Sequence, residues 1–194
     1  MVDDDINLKD QLDIAEDRIT IGAVARLSEQ KNPVEILEVA GRLQQKGFAV
    51  TAVLIGGGDL REECQKYAKE QGIDARIPGF CEDALSLLSG LDIFLLTSRF
   101  EGLPLTVLEA MHLGIPIVSY DIGGVGEAVV DGETGYIVDQ MDTEAFVGLT
   151  EKLVKDDRLR KDFGRDGKKL ARSKFTEKRM AQEYNQVYSE IYSK

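Results

Sequence analysis

Two acids and two cations in this sequence stand where chemistry could use them. Glu101 and Glu109 have seven residues between them, within the stretch LDIFLLTSRFEGLPLTVLEAMHLGIPIVSY of residues 91–120. Arg26 and Lys31 flank the short run LSEQ in the first quarter of the chain. Carboxylates repel phosphate and accept hydrogen bonds from sugar hydroxyls, whereas guanidinium and ammonium groups grip phosphate. A pocket holding both kinds would suit a molecule with a diphosphate at one point and hydroxyls at another, as a nucleotide sugar has. Taken singly, Arg26 and Lys31 read as surface charges and the acids as part of a solvated face. Their positions relative to the predicted elements raise them above that.

Residues 91–96 form an apolar run with the length and composition of a buried strand. A polar turn with glycine and proline follows over 98–104. Residues 105–112 then read as a helix with Leu105, Leu108 and Met111 on one face, ended by Gly114. Residues 115–120 are a second apolar strand. In a parallel sheet the right-handed crossover brings both strand ends out on one edge, and ligands bind in the crevice beyond them. Glu101 lies in the turn and Glu109 in the helix. The helix start between them presents unpaired backbone N–H groups and a positive dipole end, which suits phosphate.

The remaining elements repeat this arrangement. Residues 18–25 predict a first strand, with Arg26 directly after it, then a loop over 27–33 and a helix to about residue 46. Residues 48–55 predict a second strand, running into Gly56, Gly57, Gly58 and Asp59. Such a run allows positive φ and close approach of backbone; it reads either as a tight turn or as a lining of the crevice. A charged helix follows over 60–71, then a short strand and turn over 75–80 and a helix over 81–89, with Glu82 or Asp83 as its cap. Residues 121–127 (DIGGVGE) fall after another strand as a flexible loop. Their partial likeness to GxGxxG is weak, since Val129 stands where the third glycine belongs. A turn over 131–135, a strand over 136–138 and helices over 142–155, 157–171 and 176–192 complete the chain. The last carries Met180, Tyr184, Val187, Tyr188 and Ile191 on one face, a packing stripe for this domain or an absent one. Strands alternating with helices, without internal repeat, mean an α/β fold: a Rossmann-like doubly wound parallel sheet in three layers. The expected boundaries are an N-terminal extension or interdomain segment over 1–18, the domain over 19–172 and a C-terminal helix over 173–194.

The whole chain has 194 residues and a formal charge of −11, which argues against nucleic acid or an anionic membrane as the main partner. An anionic ligand would need local cations. Cys64 and Cys81 make neither a disulfide framework nor a zinc pattern. Asp3, Asp4 and Asp5, being consecutive, cannot all face one ion in regular structure and read as a solvated end. The N-terminus lacks the basic and apolar regions of a signal peptide, and no run reaches the ~20 apolar residues of a membrane span. A cytoplasmic location is expected.

Four segments in fixed order, GAVARLSEQKN, VLIGGGDL, EGLPLTVLEAM and DIGGVGE, closely resemble the C-terminal half of retaining glycosyltransferases of family 4, which have the GT-B fold. The resemblance spans about residues 19–170. It implies that Arg26 and Lys31 hold the donor diphosphate, that Glu109 binds the ribose and that Glu101 contacts the donor sugar. It further implies that Leu105 and Thr106 occupy the helix start whose N–H groups meet the phosphate, that Gly102 and Leu103 bind the donor, and that residues 121–127 line the site. Gly79, Phe80 and Cys81 would contact the base, largely through backbone, and Gly57 would face the donor. Catalysis would fall to Glu101, Arg26 and Lys31, with no metal and no cofactor. His112, the sole histidine, stands where the family usually has a small residue, and a structural or exposed role is expected. The acceptor-binding N-terminal half of such enzymes, with any peripheral membrane contact, is missing. The chain therefore reads as a donor-binding half, alone inactive or nearly so. A non-catalytic nucleotide-sugar subunit is the other reading. A dehydrogenase would need an early GxGxxG with an acid after it, and a hydrolase GxSxG; neither occurs. Base, sugar and acceptor are not legible.

Overall fold

A computed structural model describes residues 7–192. Asp3, Asp4 and Asp5 lie outside the described residues. Six strands form one sheet: β1 (Ile19–Val24), β2 (Val50–Ile55), β3 (Ala75–Gly79), β4 (Ile93–Leu96), β5 (Ile117–Tyr120) and β6 (Gly135–Val138). Their order is β3-β2-β1-β4-β5-β6 and every pairing is parallel. All residues of β2, β4 and β5 are buried, as continuous apolar strands covered on both faces must be.

The helices are α1 (Leu8–Gln11), α2 (Pro33–Gln45), α3 (Arg61–Gln71), α4 (Ala84–Leu88), α5 (Leu105–Leu113), α6 (Val125–Ala128), α7 (Thr143–Lys155), α8 (Asp157–Lys174) and α9 (Glu177–Tyr192). Right-handed crossovers put α2 and α3 on one face of the sheet and α4 and α5 on the other; after the last strand, α7 packs beside α2 and α8 beside α5. This is the doubly wound, three-layer α/β arrangement expected from the sequence.

Some local expectations change. The helix expected over 81–89 is confined to Ala84–Leu88, and the Asp83 side chain makes no capping hydrogen bond. Cys81 instead turns its thiol toward the Gly79 carbonyl, 3.6 Å away. In α5 the buried face is Val107, Ala110 and Met111, while Leu105 is 72% exposed. Leu105, at the first position of α5, therefore faces away from the core that Val107, two residues on, enters. The loop over 121–127 contains the start of α6. Leu8 and Ile14, within the segment taken as an extension, are buried in the core of the domain, and Leu8 packs against Gly90. The apolar stripe of α9 is exposed throughout.

Candidate functional site

Strands β1 and β4 are neighbours, and the chain leaves them toward opposite faces. A crevice opens beyond their carboxyl ends at this switch of direction. The loops around it are stitched together by backbone. Arg99 N–H donates to the Gln30 carbonyl at 2.8 Å, and the Gln30 side chain donates to the Phe100 carbonyl at 3.0 Å. Thr97 Oγ1 donates to the carbonyls of Lys31 and Asn32 at 3.1 and 2.9 Å. The loop after β2 joins them, with Leu27 N–H donating to the Gly57 carbonyl at 2.8 Å.

Glycine is required at two of these junctions. Gly56 and Gly58 have φ of +142° and +148°, and a Cβ there would stand 2.0 Å from the Ala25 carbonyl oxygen and 2.3 Å from that of Leu27. The glycine run is thus both turn and lining: its outer members back onto the first loop, and Gly57 faces the crevice. Gly123, at φ +51°, lies against the backbone of Glu101, where a Cβ would come within 2.0 Å of the carbonyl oxygen. Gly124 N–H donates to the Gly102 carbonyl at 2.7 Å. The loop after β5 is therefore the floor that fixes residues 101–102.

The crevice holds a cleft of about 700 Å³ lined by Arg26, Gly57, Asp59, Phe80, Cys81 and Thr106, among others. Phe80 is 81% exposed on its rim, above a buried Gly79. Arg26 is exposed and has no hydrogen bond or ion pair among the described residues. Pro104 precedes α5 without a side-chain cap, and the N–H groups of Leu105 and Thr106 are unpaired among the described residues. A guanidinium and a helix N-terminus thus border one cavity, an arrangement suited to an anion with several oxygens.

Lys31 does not line this cleft. Its Nζ is ion-paired with Oε1 of Glu101, and the two side chains are 21% and 8% exposed. The pair lies on the sheet-ward side, where Lys31 also borders a small void beside Thr97 and Ser98. Ser98 Oγ is buried there without a hydrogen-bond partner. Gly102 is exposed and Leu103 half-buried beside Glu101. Glu109 lies one turn along α5 from Thr106, the consequence of their three-residue spacing. It lines a second groove with Leu105, Leu108, His112 and Phe175. Arg26 and the helix start therefore share the cleft, Lys31 and Glu101 pair with each other outside its lining, and Glu109 belongs to the second groove. His112 Nδ1 is 2.8 Å from the Leu108 carbonyl, one helical turn back. Sequence reasoning missed Thr97, Gln30 and the buried Glu35, which hold the loops in place. Among the described residues no group of three or more His, Cys, Asp or Glu could hold a metal, and no helix is long and apolar enough to cross a membrane.

Comparison with known proteins finds the family model described as "Glycosyl transferases group 1" matching residues 4–170. The chain is 36% identical to the Vi polysaccharide biosynthesis protein VipC/TviE of Salmonella typhi over 166 residues, 83% of this chain and 29% of that protein. HepE from Anabaena, solved in complex with UDP-glucose, superposes with a TM-score of 0.85 at 23% identity, over 94% of this chain and 51% of that one. The C-terminal domain of the group 1 glycosyl transferase LpcC from Francisella tularensis superposes with a TM-score of 0.72 at 26% identity. That match covers 82% of this chain and 87% of the domain. The chain spans 29% to 52% of the length of five curated relatives that it matches, VipC/TviE among them.

Proposed function

The chain belongs to the glycosyl transferases group 1 family, and on that premise we propose that it is the donor-binding half of a retaining, metal-independent transferase. Its donor would be a nucleoside-diphosphate hexose. One observation carries the reading: Arg26, Gly57 and Cys81, from the loops after three different strands, line a single cleft with Thr106 of the open first turn of α5.

The chemistry follows the charge. Breaking the bond between sugar and phosphate builds negative charge on the departing diphosphate and positive, oxocarbenium-like charge on the sugar. Arg26, Lys31 and the N–H groups of Leu105 and Thr106 would hold the diphosphate, and they would stabilise its charge most as the bond breaks. Fixed cations and amides supply what a metal ion supplies elsewhere. Glu101, fixed by Lys31 and by the backbone of the loop after β5, would contact the donor sugar. Glu109, on the flank of the helix, would bind the ribose hydroxyls. The turn over 79–81, with Phe80 on the rim, would border the base.

The half-length match to the curated relatives supports a second domain that brings the acceptor, and we expect this chain alone to bind donor and transfer little. A cytoplasmic protein of polysaccharide biosynthesis fits the relatives' printed roles. Calorimetric titration against UDP, GDP and ADP tests the reading. One of the three should bind at a single site. Binding of none would count against a donor site.

A further inference from the structure

Behind the cleft lies a polar cluster that the proposed chemistry does not use. Glu35, in the first turn of α2, is 8% exposed. Its Oε1 accepts the Tyr120 hydroxyl from the end of β5 and Thr143 Oγ1, at 2.8 Å, from the start of α7. Its Oε2 accepts from Asn32 Nδ2. Among the described residues no cation is paired with it. A buried carboxylate without a counter-charge is tolerated only when donors fill its lone pairs, and three do so. Burial, and then the acceptor Glu35, push the Tyr120 phenol well above its ordinary range, so it remains a donor at any physiological pH.

Asn32 is where this cluster meets the site. Its backbone is left-handed, φ 49° and ψ 53°, a conformation that costs energy for a residue with a Cβ. The hydrogen bond to Glu35 anchors its side chain there. Asn32 directly follows Lys31, and Thr97 Oγ1 grips the carbonyls of both. Lys31 is thus clamped at its backbone before its Nζ reaches Glu101.

We infer that Glu35 is a positioning residue: acting through Asn32, it holds the left-handed turn that aims Lys31 at Glu101, and through that pair it sets the carboxylate proposed to contact the donor. Tyr120 and Thr143 keep the carboxylate in place. The part concerning the donor rests on the function proposed above; the part concerning the Lys31–Glu101 pair does not.

Two variants test this. Glu35→Gln keeps size and removes the charge. Asn32→Gly removes only the anchor, because glycine adopts φ > 0 without strain. Crystal structures of both should show Lys31 Nζ displaced from the Glu101 carboxylate. Affinity for whichever of UDP, GDP and ADP the wild-type chain binds should fall about three- to fivefold in each, no more than the loss of Lys31 itself. In a Lys31→Ala background the same changes should alter affinity by less than about twofold, which a merely structural role would not produce. An intact Lys31–Glu101 pair in both structures, or an equal loss with and without Lys31, overturns the inference. If Glu35→Gln fails to fold, Asn32→Gly decides alone. If the wild-type chain binds no nucleotide, the functional reading fails and the crystal structures alone judge the positioning.

Discussion

Arg26 and Lys31 carry the same formal charge, yet their surroundings predict opposite profiles on removal. Arg26 is exposed and unpaired among the described residues, so Arg26→Ala should change stability by less than about 0.5 kcal/mol. Its donors are uncommitted, so a bound diphosphate should gain the whole of a charge-assisted contact, about 2–3 kcal/mol. The variant should therefore bind nucleoside diphosphate about 30- to 150-fold more weakly. Lys31 is already paired with Glu101, whose side chain is 8% exposed. Lys31→Ala leaves that carboxylate almost out of water with no counter-charge. The cost falls between that of a surface pair and of a fully buried one, about 2 kcal/mol, or roughly 4–8 °C in Tm for a chain this long. Its effect on binding should be smaller, about 1 kcal/mol or fivefold, because Glu101 already shares its charge. Calorimetric titration and thermal unfolding of both variants read these quantities. A thermally silent Lys31→Ala, or an Arg26→Ala that binds like wild type, would refute the reasoning.

Other consequences are as specific. Gly123→Ala would drive a Cβ to 2.0 Å from the Glu101 carbonyl, so nucleotide affinity should drop at least about tenfold; Gly148→Ala, where a Cβ meets nothing, should leave it unchanged. Iodoacetamide should label Cys81, half-exposed in the cleft, and bound nucleoside diphosphate should slow that labelling. Cys64 should stay unlabelled in the folded chain, because full burial, with Glu63 nearby, pushes its thiol up to about 11. Asp74 should mark acid sensitivity. Burial raises its carboxyl, but hydrogen bonds from Thr51 and Arg76 and the charges of Arg18 and Arg76 outweigh this and hold it below its ordinary value. A depressed folded value means stability that is present above the unfolded pKa of about 4 and lost as pH falls through the folded one. Melting temperatures measured from pH 6 down to pH 3 should therefore converge between wild type and Asp74→Asn. A gap that does not narrow as the pH falls would contradict the assignment.

The elements were legible because their signals are local. The apolar runs that became β2, β4 and β5 are short and bounded by turn residues, and the helices show three-to-four-residue spacing. The strand-end loops followed from that order, and with them the grouping of Arg26, Gly57, Cys81 and Thr106. What escaped is tertiary. Nothing in the sequence shows that Gln30 meets Phe100, or that Gly123 lies on Glu101, because each pair is joined only by the folded sheet. Lys31 was read with Arg26 as one clamp, yet the two face different sides of the loop they bracket. Leu105 looked like core from its spacing, but it faces away from the core that Val107 enters. Glu35 drew no reading of its own from the sequence. The signal that could have found it is the run Asn32-Pro33-Val34-Glu35, which has the spacing of a capping box. Here the two side chains bond each other and leave the backbone uncapped.

The account stands or falls on where a nucleoside diphosphate sits. A crystal structure of this chain with UDP or its tighter-binding counterpart should show the diphosphate oxygens at the N–H groups of Leu105 and Thr106. Arg26 should be turned onto them, and the base should lie along residues 79–81. Diphosphate bound anywhere else, or Arg26 still pointing into solvent beside it, would contradict the account.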